Sequence, residues 1–305
     1  MKRTLAGLAT VVAAALALTA CGGSSDPLAN DATGGAPAPA DTIIVGSANF
    51  SESQLLAEIY AQAREAKGVK VEKKLRIGSR ETYFPGIQDG SIDLVPEYTG
   101  VLLQYLNKEA KETSPDEVYT ALKKVVPPTL TVLDKAAAED KDAVVVTKET
   151  AAKYNAKSIA DISAKGGEIV FGGPPEFQQR PDGIPGLKER YGITFKEYKS
   201  LEPGAITTKA LLDGTVQAAD IFTTDASIEA NGFVVLEDPK NNFAAQNVIP
   251  VINTSKASDV VKSTLNAISA KLDTKALLDL NAKLAAPDKP DAAKVAKDWL
   301  ATAGI

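Results

Sequence analysis

The chain has no histidine and one cysteine, one tryptophan and one methionine in 305 residues. Without histidine it lacks the commonest general base and the commonest metal ligand. With a single cysteine, Cys21, it has no disulfide partner within itself, and past Cys21 it has no thiol for a nucleophile or a thiolate zinc site. No Gly-Lys pair occurs, which excludes a Walker A loop, and there is no G-x-S-x-G elbow or EF-hand loop. No cofactor is therefore expected. The formal charge is −5, and it becomes two units more negative if Lys2 and Arg3 leave with a leader. An acidic chain argues against nucleic acid and against an anionic membrane surface as partners.

What is present begins with that leader. Lys2 and Arg3 form a basic start, and Leu5 to Leu18 an Ala- and Leu-rich apolar run. The run is short for a span of about 20 apolar residues and its flank fits a secretion signal. It ends in Leu18-Thr19-Ala20-Cys21-Gly22, small residues before a cysteine as in a bacterial lipobox. Residues 1–20 are thus expected to be a signal peptide and Cys21 to carry a lipid. Residues 21–41, with GGSSDPLANDATGGAPAPA at 22–40, have no apolar period and read as a tether, roughly 25 Å end to end.

From Thr42 the pattern becomes that of an α/β protein. Thr42 to Val45 is a short β-type run. Ser51 with Gln54 reads as a capping box, and Leu55, Leu56, Ile59 and Ala63 follow at helical spacing. Val69, Val71 and Leu75 begin a second strand, and Ile92 to Val95 a third after a helix ending on Asp89-Gly90. Ser114-Pro115-Asp116-Glu117 is a helix start, closed by Pro127-Pro128. Strands are also expected at Val144 to Thr147, Glu168 to Phe171 and Phe195 to Tyr198, and a helix from Pro185 to Tyr191. The stretch LDGTVQA at 212–218 echoes QDGSIDL at 88–94, with a helix ending on Asp-Gly before a strand in both. The tail reads as helices from Val260, Lys275 and Asp291, with Trp299 in the core. Alternating strands and helices predict largely parallel sheets. In such sheets ligands sit beyond the carboxyl ends of strands. Those ends carry Ser47-Ala48-Asn49, Gly78-Ser79-Arg80 and Tyr98-Thr99-Gly100, with Asp220 and Thr223 in a matching turn of the second half. Helix N-termini there favour an anionic group.

Five stretches carry a family resemblance: VGSANFSESQLLAEIYAQA (45–63), GSRETYFPGIQDGSIDLVPEYTG (78–100), GGPPEFQQRPDGIPGLKERYG (172–192), ALLDGTVQAADIFTTD (210–225) and VVLEDPKNNF (234–243). They resemble the osmoprotectant-binding lipoproteins of ABC importers, which take glycine betaine, choline or carnitine. The resemblance implies a two-lobed type II periplasmic-binding fold with a ligand cleft between the lobes. Lobe 1 would be 42–142 plus 247–305, and lobe 2 143–246. It also implies a monomer that binds a small-molecule ligand and docks on permease subunits with their ATPase. The membrane is met only through the lipid, at the outer face of the plasma membrane. A ligand-sensing envelope lipoprotein is the alternative, and neighbouring permease and ATPase genes would decide between the two. An enzyme of this architecture, porphobilinogen deaminase, needs a cofactor-bearing cysteine that the chain lacks beyond Cys21.

The family's site is an aromatic cage around a trimethylammonium head, whose charge is drawn to ring faces. Tyr98 falls on one cage tyrosine. The other three positions fall on Asp142, Thr208 and Gln246, and the first-loop glutamine on Ser53. The cage is thus read as depleted, and the cargo is either a quaternary amine or a polar ligand with hydrogen-bond donors. Arg80 and Arg180 either bind a carboxylate or pair structurally with Glu97 and Glu176. Asp142 either faces the cleft or belongs to a solvated acidic turn.

Replacing Cys21 by Ala is expected to block lipidation and leave the precursor uncut by the lipoprotein peptidase. A variant that fractionates and migrates like the parent would contradict the anchor.

Overall fold

The computed structural model describes residues 42–305, so the leader, Cys21 and the tether lie outside it. The first sheet starts where the sequence turns apolar, with β1 (Ile43–Ala48). α1 (Ser51–Glu65) buries Leu55, Leu56, Ile59 and Ala63 as their spacing predicts. Its N-cap is Phe50 rather than Ser51, and no side chain caps it. The Ser53 hydroxyl instead accepts the Ala48 N–H at 2.9 Å and fastens the helix to the strand end. β2 (Val71–Gly78) and α2 (Arg80–Asp89) follow, and then β3 (Leu94–Tyr98). β3 begins two residues after Ile92 because Ile92 N–H turns back to Gly86 O at 2.9 Å, while the Asp93 carboxylate takes Ile44 N–H at 2.8 Å. α3 (Thr99–Leu106) leaves β3 with no intervening turn. α4 (Pro115–Val125) starts at Ser114, whose hydroxyl donates to Glu117 at 2.6 Å instead of accepting from the backbone. β4 (Leu130–Val132) completes this half.

The second sheet is laid down by β5 (Val144–Val146), α5 (Lys148–Tyr154), α6 (Ile159–Ile162), β6 (Val170–Gly173), α7 (Ile184–Tyr191), β7 (Glu197–Ser200), α8 (Ala205–Leu212), β8 (Ala218–Asp220), α9 (Ser227–Asn231) and β9 (Val234–Val235). The chain then returns through β10 (Val248–Asn253) and ends in α10 (Asp259–Lys271), α11 (Thr274–Leu284) and α12 (Ala292–Ala303), which pack on the first sheet's core. Trp299 lies half-buried at that core's margin rather than inside it.

The two sheets share one plan, β2-β1-β3-β10-β4 and β7-β6-β8-β5-β9. In each, the first three strands are parallel and the other two pairings antiparallel, so four strands run one way and a single strand, β10 or β5, runs against them. The cause is connectivity. β10 and β5 enter by crossing from the other sheet, without the helical return that a parallel neighbour needs. The Asp-Gly echo is part of the repeat: Asp89 accepts Ser91 N–H at 2.9 Å and Asp213 accepts Thr215 N–H at 3.1 Å. Gly90 and Gly214 take the left-handed φ of +82° and +74° that a side chain resists.

The two crossings run side by side. Ala136 N–H donates to Val248 O at 2.8 Å, Val248 N–H to Ala138 O at 3.0 Å and Asp140 N–H to Gln246 O at 3.2 Å. Glu139 and Asn247 form an antiparallel bridge between them. A short ribbon thus joins the lobes, and its Asp140 and Gln246 line the chamber between them.

Gly183 opens α7 and closes the Pro174 to Asp182 loop that reaches into the cleft. A Cβ there would lie 1.8 Å from Phe177 O. Gly183→Ala is expected to cost about 1–3 kcal/mol as overpacking. That lowers the melting midpoint by at least about 2 °C; an unchanged midpoint would contradict this packing.

Candidate functional site

Between the sheets lies an inner chamber of about 50 Å³, with an outer one of about 220 Å³ adjoining it. On this measure one water takes about 10–15 Å³. The inner chamber therefore holds some three to five atoms of water size, the scale of an ammonium head with its substituents.

The inner chamber is lined by aromatic and acidic side chains. Phe50 packs on Phe222 with centroids 5.0 Å apart and on Tyr98 at 6.1 Å. Asp140 and Asp142 line it beside these rings. The pairing of β5 with β8 explains the arrangement: Val144 faces Asp220, and the ladder continues through Ile221 N–H to Ala143 O at 3.2 Å and Thr223 N–H to Lys141 O at 2.8 Å. Asp142 therefore stands across from Phe222, on the face that carries Asp220. From the paired crossing, Gln246 Nε2 donates to Asp142 at 3.0 Å.

Beneath the rings a buried carboxylate joins both lobes. Glu52, on α1, accepts from Tyr98 Oη at 2.6 Å, from Thr224 Oγ1 at 2.6 Å and from Asn281 Nδ2 of α11. Asp140 accepts Thr224 N–H at 3.1 Å. Burial raises the Glu52 carboxyl against these hydrogen bonds. Burial and then Glu52 push Asp140 well above the usual carboxylate range.

Two arginines line the inner chamber as well. Arg80 donates through Nε at 2.9 Å and Nη2 at 2.7 Å to Glu97, which also receives Tyr83 Oη at 2.7 Å. Removing one partner of such a buried pair costs about 3–5 kcal/mol, so Arg80 serves the fold at least as much as a ligand. Arg180 reaches across the cleft to Glu81 on α2, at 3.1 and 3.0 Å, with Glu176 at 3.8 Å. Despite partial burial, Arg180 draws Glu81 down to about 2. The bridge is solvent-exposed on the Glu81 side. Exposed pairs contribute about 0–1 kcal/mol, so it opens easily. Asn49 spans the same gap to Glu202 at 3.2 Å. The outer chamber continues past this bridge to Lys108, Gln179 and Gln104, whose buried Oε1 has no hydrogen bond.

Of the residues singled out in the sequence, Asn49, Ser79, Arg80, Tyr98, Asp142, Arg180 and Gln246 line the inner chamber, as does Ser53. Five others do not. The Ser47 hydroxyl is taken by Arg76 N–H at 2.9 Å and Ala48 O at 3.0 Å. Thr99 Oγ1 bonds Ala245 O and Asn247 N–H, both at 3.0 Å, tying α3 to the crossing. Thr208 Oγ1 donates to Ser227 Oγ at 3.2 Å. Thr223 accepts Lys141 N–H at 2.9 Å. Asp220 is buried behind the chamber wall. Phe50 and Phe222 were overlooked, although each adjoins a strand-end residue already marked. Glu52 gave no signal, since a carboxylate in a helix's first turn reads as a dipole partner. Among the described residues no group of three or more His, Cys, Asp or Glu is placed to hold a metal ion, and no helix is long and apolar enough to cross a membrane.

A family model for the substrate binding domain of an ABC-type glycine betaine transport system matches residues 41–302. The glycine betaine-binding protein YehZ of Escherichia coli K12 is 31% identical over 280 residues, covering 87% of this chain and 92% of that one. The carnitine transport binding protein OpuCC of Listeria monocytogenes is 27% identical over 249 residues, covering 79% and 80%. Among solved structures, a glycine betaine/carnitine/choline ABC transporter protein superposes with a TM-score of 0.68 at 24% identity, covering 85% of this chain and 98% of that one. Its likeness bears on the fold, which is that of type II periplasmic-binding proteins.

Burial, and then the Asp142 carboxylate, push the Asp182 carboxyl up to about 7. Unfolded, it titrates near 3.9. The folded chain therefore keeps a proton that the unfolded chain loses. This contribution is complete below about pH 4 and falls away as pH rises through about 7, at up to about 1.4 kcal/mol per unit. Urea midpoints between pH 5 and 7 are expected to decline, and less steeply in Asp182→Asn. An equal slope in the variant would contradict this.

Proposed function

The chain belongs to the family of substrate-binding domains of ABC-type glycine betaine transport systems, and from that premise we propose that it captures a small ammonium osmoprotectant in the inner chamber for delivery to a membrane permease. The family is one of binding components, not of enzymes. The observation that carries the ligand class is the polarity of the site. Phe50, Tyr98 and Phe222 line the chamber with Asp140 and Asp142, and Arg180 and Ser79 line it too. Such a site orients a zwitterion, its nitrogen on the rings and its carboxylate toward the arginine.

In this reading a lipid on Cys21 and the following tether hold a monomer at the outer face of the plasma membrane. The lobes, 42–142 with 247–305 and 143–246, close on the ligand about the paired crossings. The cage is depleted relative to the resemblance, because Asp142 and Gln246 stand in the chamber where tyrosines are expected. A second reading has its own support: Asp142 offers a buried carboxylate to the head group, which suits a ligand bearing N–H donors.

Calorimetry with glycine betaine tests the site. One desolvated cation–π contact contributes about 0.5–2 kcal/mol. Phe222→Ala and Tyr98→Ala are therefore each expected to weaken binding roughly 2- to 30-fold. Asp142→Tyr combined with Gln246→Tyr should strengthen it. Parental binding unaffected by either truncation would place the ligand elsewhere.

A further inference from the structure

The chamber wall holds more carboxylate than its hydrogen-bond donors satisfy. Asp142 lines the chamber and accepts from Gln246 Nε2 at 3.0 Å. Asp220 is 4% exposed, and neither of its carboxyl oxygens has a hydrogen-bond donor among the described residues. The two project from one face of the β5–β8 ladder, diagonal neighbours behind the Phe222 ring. Asp182 is a third buried carboxyl close by, and Tyr198 faces the group from β7. The nearby cations are both committed, Arg180 to Glu81 and Glu176, and Arg80 to Glu97. Arg180 acts on both carboxyls, but it is hydrogen-bonded to Glu81 and not to them, and two carboxyls in contact resist ionising together.

We propose that Asp142, backed by Asp220, is the group by which this protein selects among ammonium ligands, favouring a head that keeps at least one N–H over a fully methylated one. The inference rests on reading the inner chamber as an ammonium site. Ring faces draw a cation whether or not it is methylated. A carboxylate gains most from a charge-assisted hydrogen bond, which a quaternary nitrogen has no hydrogen to make. Asp220 keeps its proton and donates it to Asp142, so the pair presents one negative charge, held in place from behind by Asp220 and from the side by Gln246. Burial together with Asp142 and Asp182 raises the Asp220 carboxyl well above the usual range, in keeping with that role. Asp220 is thus a positioning residue that touches no ligand. A neighbour that only donates a hydrogen bond, such as an amide, is able to replace it.

The test is calorimetry on the mature chain with N,N-dimethylglycine, which bears an N–H when protonated, and with glycine betaine, which has none. The parent is expected to bind dimethylglycine at least about tenfold more tightly, the low end for a hydrogen bond to a charged group. Asp142→Asn should bring the ratio to within about twofold of unity. Asp220→Asn, which still donates to Asp142, should keep most of the preference. Asp220→Ala should lose much of it while melting as a folded protein. Equal binding of both ligands by the parent, or a ratio indifferent to Asp142→Asn, would overturn this inference and leave the ammonium site standing. If neither amine binds and an uncharged solute does, the ammonium reading falls, and the inference with it.

Discussion

The structure depends on the hydrogen-bonded pairing of its two crossings, residues 136–140 against 246–248. Because both connections pass through one short ribbon, the lobes have a single joint, and its Asp140 and Gln246 line the chamber. The same pairing brings β10 and β5 into their sheets in the antiparallel sense and gives both sheets one strand order. It also sets Asp142 and Gln246, remote in sequence, side by side on the chamber floor. On the proposed reading, a ligand that bonds to Asp142 would touch the element about which the lobes would turn, and binding energy at the head group would reach the relative position of the lobes that way.

The electrostatics divide by depth. At the cleft mouth, Arg180 with Glu81 and Asn49 with Glu202 link the lobes by exposed contacts of small individual worth. At the joint, Glu52 is buried and gathers donors from β3, α11 and the loop after β8. Losing a donor to a buried carboxylate costs far more than losing a surface pair. The mouth therefore opens cheaply while the joint stays intact.

Much of the fold was legible because its signals are local. Helical spacing in α1, the Ser114-Pro115 start of α4 and the left-handed glycines after Asp89 and Asp213 each fix an element without help from afar. The mixed sheets were not legible, since the direction of β5 and β10 is set by the crossings. In the site, residues at strand ends were readable by position, and Asn49, Ser79 and Tyr98 line the chamber, while Asp142, which also lines it, was marked only by the family resemblance. Ser47 and Thr99 sit at equally good positions, but nearby backbone groups occupy their hydroxyls. That competition depends on distances of a few ångströms and leaves no trace in sequence. Phe222 reaches the chamber through the strand register opposite Asp142, and Glu52 is fixed beneath the rings by three partners from distant parts of the chain.

On the proposed reading the ligand's nitrogen lies on the joint, between the rings and Asp142. A crystal structure with N,N-dimethylglycine at saturating concentration is the decisive measurement. The ammonium is expected within about 6 Å of the Phe50, Tyr98 and Phe222 centroids, its N–H on Asp142 and its carboxylate turned toward Arg180. A ligand bound with its carboxylate on the rings, or held in the outer chamber beyond Arg180, would contradict it.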